Sequence, residues 1–288
     1  MSVTMTPAVD EVAAPGFTRI ALGIDYKGSN YRGFQLQPDG VPSVQGAVEQ
    51  ALQQVNAGLS VRLSCAGRTD AMVHACGQVV HFDTPHVRPM RAWVMGANRY
   101  LPSDISVTWA KEMPADFHSR FSAVARRYRY VIYSDEIRPA HLGQEVTWTH
   151  RQLDVERMQN AAQCLVGTHD FSALRAAGCQ ARSPVRTIHH LRIIEFGKLI
   201  VIDVRANAFL HHMVRNIAGV LMMIGAGDRP IKWAKEVLES RDRSMGGVTA
   251  APYGLYMVKV EYPEQFILPE RFLGPHFLSG LPDTFTDL

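Results

Sequence analysis

Residues 61–82 read VRLSCAGRTDAMVHACGQVVHF. Two apolar runs, Val61 to Ala66 and Gly77 to Phe82, have the composition of strands, and a turn of small residues lies between them. That turn sets one carboxylate, Asp70, at the mouth of a sheet, two residues after Arg68. An acid needed only for solubility does not require such a setting, so Asp70 is the first candidate for chemistry.

Outward from this hairpin the pattern is α+β. Phe17 to Tyr26 alternates as a strand, and Gly28 to Gly40 is a Gly/Asn/Pro-rich loop. Ser43 is a natural N-cap for a helix on which Val44, Ala47, Val48, Ala51, Leu52 and Val55 recur at helical spacing. After Asp70 come a helix over Arg91 to Tyr100 and a strand from Ile105 to Lys111. The second part of the chain repeats the order. Arg126 to Tyr133 is a strand, Asp154 to Val166 a helix, Arg186 to Glu195 and Leu199 to Ala206 a hairpin, His211 to Ile224 a helix and Tyr256 to Tyr262 a strand. The expectation is two similar α+β domains, 17–120 and 121–265, rather than one continuous sheet, with tails at 1–16 and 266–288. Domain junctions favour binding sites, so a cleft between the halves suits a large ligand.

With 288 residues, 47% of them hydrophobic, the chain can build real cores. No apolar stretch approaches the roughly 20 residues of a membrane span, and the acidic start, Asp10 and Glu11, does not read as a signal peptide. Cys65, Cys76, Cys164 and Cys179 are scattered, so neither a disulfide framework nor a zinc knuckle is indicated, and a cytoplasmic location fits. Net charge is only +3, yet arginines are grouped, as in Arg126, Arg127 and Arg129 and in Arg175, Arg182 and Arg186, which allows a polyanionic partner.

Residues 126–133 interleave arginine with tyrosine. Two readings stand: a platform for single-stranded RNA, with guanidinium groups on phosphate and rings on bases, or a half-exposed strand with core tyrosines and solvated arginines. On the helix from His211, Arg215 lies beside a core stripe of Val214, Ile217, Leu221 and Ile224 with no acid within a turn. It either reaches solvent or backbone carbonyls, or pairs with a carboxylate distant in sequence. Asp70 is the best candidate for that partner, because a guanidinium within about 4–6 Å favours the ionised carboxylate that a nucleophile or base requires. Adjacent histidines, His189-His190 and His211-His212, point to different faces of regular structure, so no metal site is expected.

Gly67-Arg68-Thr69-Asp70-Ala71-Met72-Val73-His74-Ala75 resembles the catalytic motif of the tRNA pseudouridine synthase A family. Tyr31 to Gln35, Ser43 to Gly46, Phe117 to Ala123, Arg126 to Tyr130, His169 to Ser172, His212 to Asn216 and Gly254 to Tyr256 match that family in order. The resemblance implies a pseudouridine synthase fold: two α/β-sandwich-like domains with mainly antiparallel sheets meeting at a central RNA-binding cleft. It implies isomerisation of uridine to pseudouridine at positions 38, 39 and 40 of the tRNA anticodon stem-loop, without a cofactor, by a homodimer. It makes Asp70 the nucleophile, Arg215 its ion-pair partner and Tyr128 the residue against the target base. Arg68, from the same motif, joins the catalytic set by holding the displaced nucleotide or its backbone, Arg120 and Arg126 become substrate contacts, and Leu255 lines the base pocket. One departure is Met72, where the family has glycine; the expectation is an ordinary φ that methionine accommodates. From another class, a non-catalytic tRNA-binding module on the same scaffold would tolerate loss of Asp70.

Overall fold

A computed structural model describes residue 13, residues 16–38 and residues 40–281. Most of the segment 1–16 therefore lies outside the described residues.

The first half runs β1 (Thr18–Tyr26), α1 (Val44–Val55), β2 (Ser64–Cys65), β3 (His74–Thr84), α2 (Met90–Tyr100) and β4 (Ile105–Met113). The second runs β5 (Ala125–Ser134), β6 (Thr147–Thr149), α3 (Val155–Ala162), β7 (Gly167–Asp170), β8 (Val185–Phe196), β9 (Leu199–Ala206), α4 (Met213–Gly225), α5 (Trp233–Ser240) and β10 (Leu255–Glu261). The expected repeat of strand, helix, two strands, helix and strand is present in both. Ser43 caps α1 by accepting from the Gly46 N–H at 3.2 Å, and Val44, Val48, Ala51, Leu52 and Val55 form its buried face. The short β6 and β7 and the helix α5 had no distinct sequence signal, and Val61 to Ala66 contributes only Ser64 and Cys65 to the sheet.

Contrary to the expectation of separate sheets, the halves share one, in the order β4-β1-β3-β10-β5-β9-β8-β7, with β2 on β3 and β6 on β5. The last strand makes the join. β10 runs antiparallel to β5 along its length and parallel to β3 through two pairs, Tyr256 with His74 and Met257 with Ala75. Close approach at this seam needs Gly77, where an added Cβ would sit 2.2 Å from the Val258 carbonyl oxygen. A sheet that continues through a strand distant in sequence leaves no local signature.

Separate cores nevertheless survive on the helical side. One packs β1, β3 and β4 against α1 and α2 around Leu22, Leu52, Phe82 and Trp93, and the other packs β5, β8 and β9 against α3, α4 and α5 around Tyr130, Ile202, Ile217 and Leu221. On the opposite face Val131, Val201 and Val258 are covered by Leu273, Leu278 and Leu281. Residues 266–281 are thus packed chain, not a tail; alternation along the strands leaves an apolar second face that must be covered. No helix among the described residues is long and apolar enough to cross a membrane.

Candidate active site

The turn carrying Asp70 is held from both sides. The Phe34 N–H donates to the Thr69 carbonyl at 3.1 Å, the Met72 N–H to the Tyr31 carbonyl at 3.2 Å, and Gln78 Nε2 to the Gly67 carbonyl at 2.7 Å. The Tyr26 hydroxyl shares a hydrogen bond of 2.7 Å with Thr69 Oγ1. The loop from Gly28 thus acts as a buttress, and Gly33 (φ 105°) admits the Thr69 carbonyl where a Cβ would lie 2.8 Å away. Met72 itself has φ of 66°. The expected ordinary φ is overturned: the chain turns through the left-handed region just after the acid, a conformation glycine adopts without penalty.

Three cationic or imidazole groups from the second half converge on Asp70, whose side chain is 28% exposed. His211 Nε2 lies 3.3 Å from Oδ1, His212 Nε2 lies 3.3 Å from Oδ2, and Arg215 Nη1 lies 3.7 Å from Oδ2. Arg215 combines both readings of its sequence position, since its Nε also donates to the Ala250 carbonyl at 2.8 Å and the Ala250 N–H returns a bond to the Arg215 carbonyl. Its side chain is only 13% exposed, so these partners compensate a largely buried charge.

His211 and His212 correct the expectation that adjacent histidines diverge. His212 is the N-cap of α4 with φ of 61°, outside regular structure, and this left-handed residue brings the two rings to 4.0 Å between centroids, facing one carboxylate. The three donors, Asp70, His211 and His212, lie within 4.8 Å of one another, a spacing that could hold a metal ion. Arg215 places positive charge at the same oxygen and opposes a cation there. Burial lowers the His212 pKa from its ordinary value; Asp70 pulls it back up, while Arg215, His211 and Arg243 press it down. The net shift favours the neutral imidazole, which can donate or accept a proton.

Tyr128, on β5, lies beneath the turn: its hydroxyl is 3.9 Å from where a Cβ on Gly67 would stand, and its ring packs edge-on against Phe209 at 5.0 Å. Burial raises its phenol pKa above the ordinary value, Arg126 opposes the rise and Asp70 adds to it. The ring is thus a neutral apolar platform with a protonated hydroxyl. Leu255 opens β10 and is buried in the same core as Tyr130 and Val214.

The other arginines divide into rim and scaffold. Arg68 and Arg120 are exposed, and both pull against the rise that burial imposes on the Cys65 thiol, pushed up to about 11. Arg120 sits 5.6 Å from the ring centre of Phe121, itself 65% exposed. Arg126 spends both terminal nitrogens on four backbone carbonyls, those of Ala66, Arg120, Ala123 and Asn207. It thereby ties the turn that carries Asp70 to the rim. Arg127 and Arg129 fit neither sequence reading. They are buried and paired with Asp203 of β9 at 2.7 and 2.8 Å, so β5 is no open platform for RNA. Phe209, His211 and His212 were not singled out for catalysis from sequence; the aromatic and paired imidazoles just before Arg215 were the available signal.

The chain matches the family model for tRNA pseudouridine synthase over residues 24–122 and 161–263. It is 70% identical over 283 residues to tRNA pseudouridine synthase A of Pseudomonas aeruginosa, covering 98% of this chain and 99% of the relative. The enzyme of the same name from Alcanivorax borkumensis is 57% identical over 261 residues, covering 91% and 97% of the two chains. That from Cronobacter sakazakii is 54% identical over 261 residues, covering 91% and 96%.

Proposed function

The chain belongs to the tRNA pseudouridine synthase family, and from that membership we propose that Asp70 is the nucleophile for uridines 38, 39 and 40 of the anticodon stem-loop. The protein is an isomerase that converts uridine to pseudouridine in tRNA; a non-catalytic binding module has no support among its relatives. The reaction breaks the bond from ribose C1' to uracil N1, turns the base and rejoins it through C5; the C5 proton leaves to solvent, N1 takes up a proton in its place, and any bond that Asp70 makes to the nucleotide is broken again as the product forms. Atoms and electrons balance within the nucleotide, so no redox cofactor is required.

The observation that carries the assignment is the convergence on one carboxylate: Asp70 on a rigid turn of the first half, with Arg215 at 3.7 Å and two imidazoles at 3.3 Å from the second. Arg215 fixes the orientation of the carboxylate, as an activated nucleophile requires. Tyr128 takes the face of the uracil, and Leu255 backs its pocket. A paired base must leave the stem to reach Asp70, and unstacking costs a few kcal/mol. Arg68 and Arg120 at the rim offset that cost through phosphate contacts, while Arg126 acts by holding the carbonyls of Ala66 and Arg120.

The active protein is a cytoplasmic homodimer in this reading, with residues 17–120 and 121–265 as the two lobes around the substrate. Sedimentation at the mass of one chain at micromolar concentration would remove the dimer. For the chemistry, tRNA tritiated at uracil C5 is the direct substrate. The native chain should release tritium without added metal and in the presence of a chelator, whereas Asp70→Asn, nearly isosteric, should release none. Full release by Asp70→Asn would overturn the role given to this residue.

A further inference from the structure

A cavity lined by arginines is hydrogen-bonded to the segment that carries His211 and Arg215. It has a volume of about 420 Å³ and opens between the segment after β7 and the segment after α5, lined by Ser172, Arg175, Cys179, Arg241, Asp242 and Arg243 among others. Three guanidinium groups face it, and the acids near them are already engaged. Asp242 accepts from the Ser244 N–H at 2.9 Å as the cap of a short helical turn. Asp170 accepts from the Ser172 N–H at 2.9 Å and forms an exposed ion pair with Arg241 at 3.7 Å, a contact a phosphate can replace. Arg243 is held rigidly by four neutral acceptors, the carbonyls of Gly246 and Gly247, Asn216 Oδ1 and Thr249 Oγ1, so its position is fixed and its charge is not cancelled. Arg175 is in no ion pair with an acid among the described residues, and Arg241 is 71% exposed and keeps φ of 55° at the end of α5, a strained conformation for a non-glycine residue.

The cavity is fastened to the catalytic helix. The Ala176 N–H donates to the His211 carbonyl at 2.9 Å, Asn216, next to Arg215, donates to the Leu174 carbonyl at 2.8 Å and accepts from Arg243, and the Arg243 charge is felt by His212. Its lining has no aromatic side chain on which a base could stack. Forked guanidinium donors without a stacking surface suit phosphate oxygens rather than bases.

We propose that Arg175 and Arg241, with the fixed charge of Arg243 behind them, form a phosphodiester subsite that grips the tRNA backbone adjoining the nucleotide at Asp70, positioning it without reading sequence. The proposal rests on the tRNA-modifying function above and adds to it a residue-level binding site. A contact that ignores base identity suits an enzyme that must accept neighbouring target positions.

The test is equilibrium binding of unmodified tRNA to the full-length chain across a salt series, with Arg175→Ala, Arg241→Ala and the double variant. Both side chains border solvent, and thermal melting checks that the fold is kept. Each lost phosphate contact flattens the dependence of log affinity on log salt by about 0.7 to 0.9, so the double variant should lose about 1.4 to 1.8 from the slope, with Arg175→Lys restoring most of its share. A double variant with native slope and affinity overturns the subsite. Inorganic phosphate at matched ionic strength should displace tRNA from the native chain better than chloride does and should lose that advantage on the double variant. Phosphate that acts equally on the two proteins would overturn the proposal. Failure of the native chain itself to bind tRNA would instead sink the function on which the subsite rests.

Discussion

Met72 and Arg215 act on Asp70 from opposite sides, one through the backbone and one through charge. An L-residue at φ of 66° costs roughly 1–2 kcal/mol over glycine in the left-handed region, partly offset by the roughly 0.5–1 kcal/mol of chain entropy that glycine loses on folding. Met72→Gly should therefore stabilise the protein by about 0.5–1 kcal/mol in urea denaturation; a loss of stability would mean that the methionine side chain packs better than its partial exposure indicates. Arg215→Met keeps the volume and apolar stem while removing both the 3.7 Å contact with Asp70 and the hydrogen bond to Ala250. Loss of one preorganised group of this kind lowers turnover by roughly 100-fold, and single-turnover tritium release should fall by that order with the melting temperature little changed. Wild-type rates would remove Arg215 from the mechanism. At this scale the sequence identified Asp70 as an acid in an unusual turn and Arg215 as a charge needing a remote partner, because both are chemical demands visible locally. It did not reveal the imidazoles at 3.3 Å, since their convergence depends on a left-handed His212.

Strands β5, β8 and β9 are pinned together by one acid. Asp203 on β9 receives Arg127 and Arg129 from β5 and His190 from β8, with the histidine contact at 2.8 Å. Burial by itself would raise its pKa, but hydrogen bonds from His190, Arg127 and Arg129 outweigh that and hold it well below the usual carboxylate value. The folded value being lower than the unfolded one, the stabilisation is complete above the ordinary carboxylate pKa and is lost as pH falls below about 4. Urea midpoints should accordingly drop from pH 5 to pH 3. Asp203→Ala should cost about 3–5 kcal/mol at pH 7, because two buried guanidinium groups lose their acid, and should show a smaller drop on acidification. An equal drop in the variant would place the acid sensitivity elsewhere. Helices such as α1 were legible from Ser43 and the apolar spacing, but the arginines of β5 were not, because alternation indicates opposite faces without saying which face is covered.

The molecule as a whole depends on its last segments. β10 closes the sheet between β3 and β5, and residues 266–281 then cross its second face, burying Leu273, Leu278 and Leu281 while the Leu273 carbonyl accepts from Arg129. Three buried leucines are worth roughly 1.5–3 kcal/mol each by area, an upper range given compact unfolded chains. Ending the chain after Gln265 should therefore remove about 5 kcal/mol and lower the melting temperature by roughly 8 °C; unchanged melting would mean that this face tolerates water. Sequence alone determined the repeated α+β order, the helix caps, the hairpin that displays Asp70 and the family motif around it, because period, capping and turn chemistry act between residues a few positions apart. Tertiary structure alone decided that the two halves share a sheet, that 266–281 is packed, that Arg127 and Arg129 serve Asp203, and that His211 and His212 join Arg215 at Asp70. Those outcomes rest on pairing between distant segments, where a strand edge, an apolar face or a buried charge states that a partner is required, and only the folded chain selects which one.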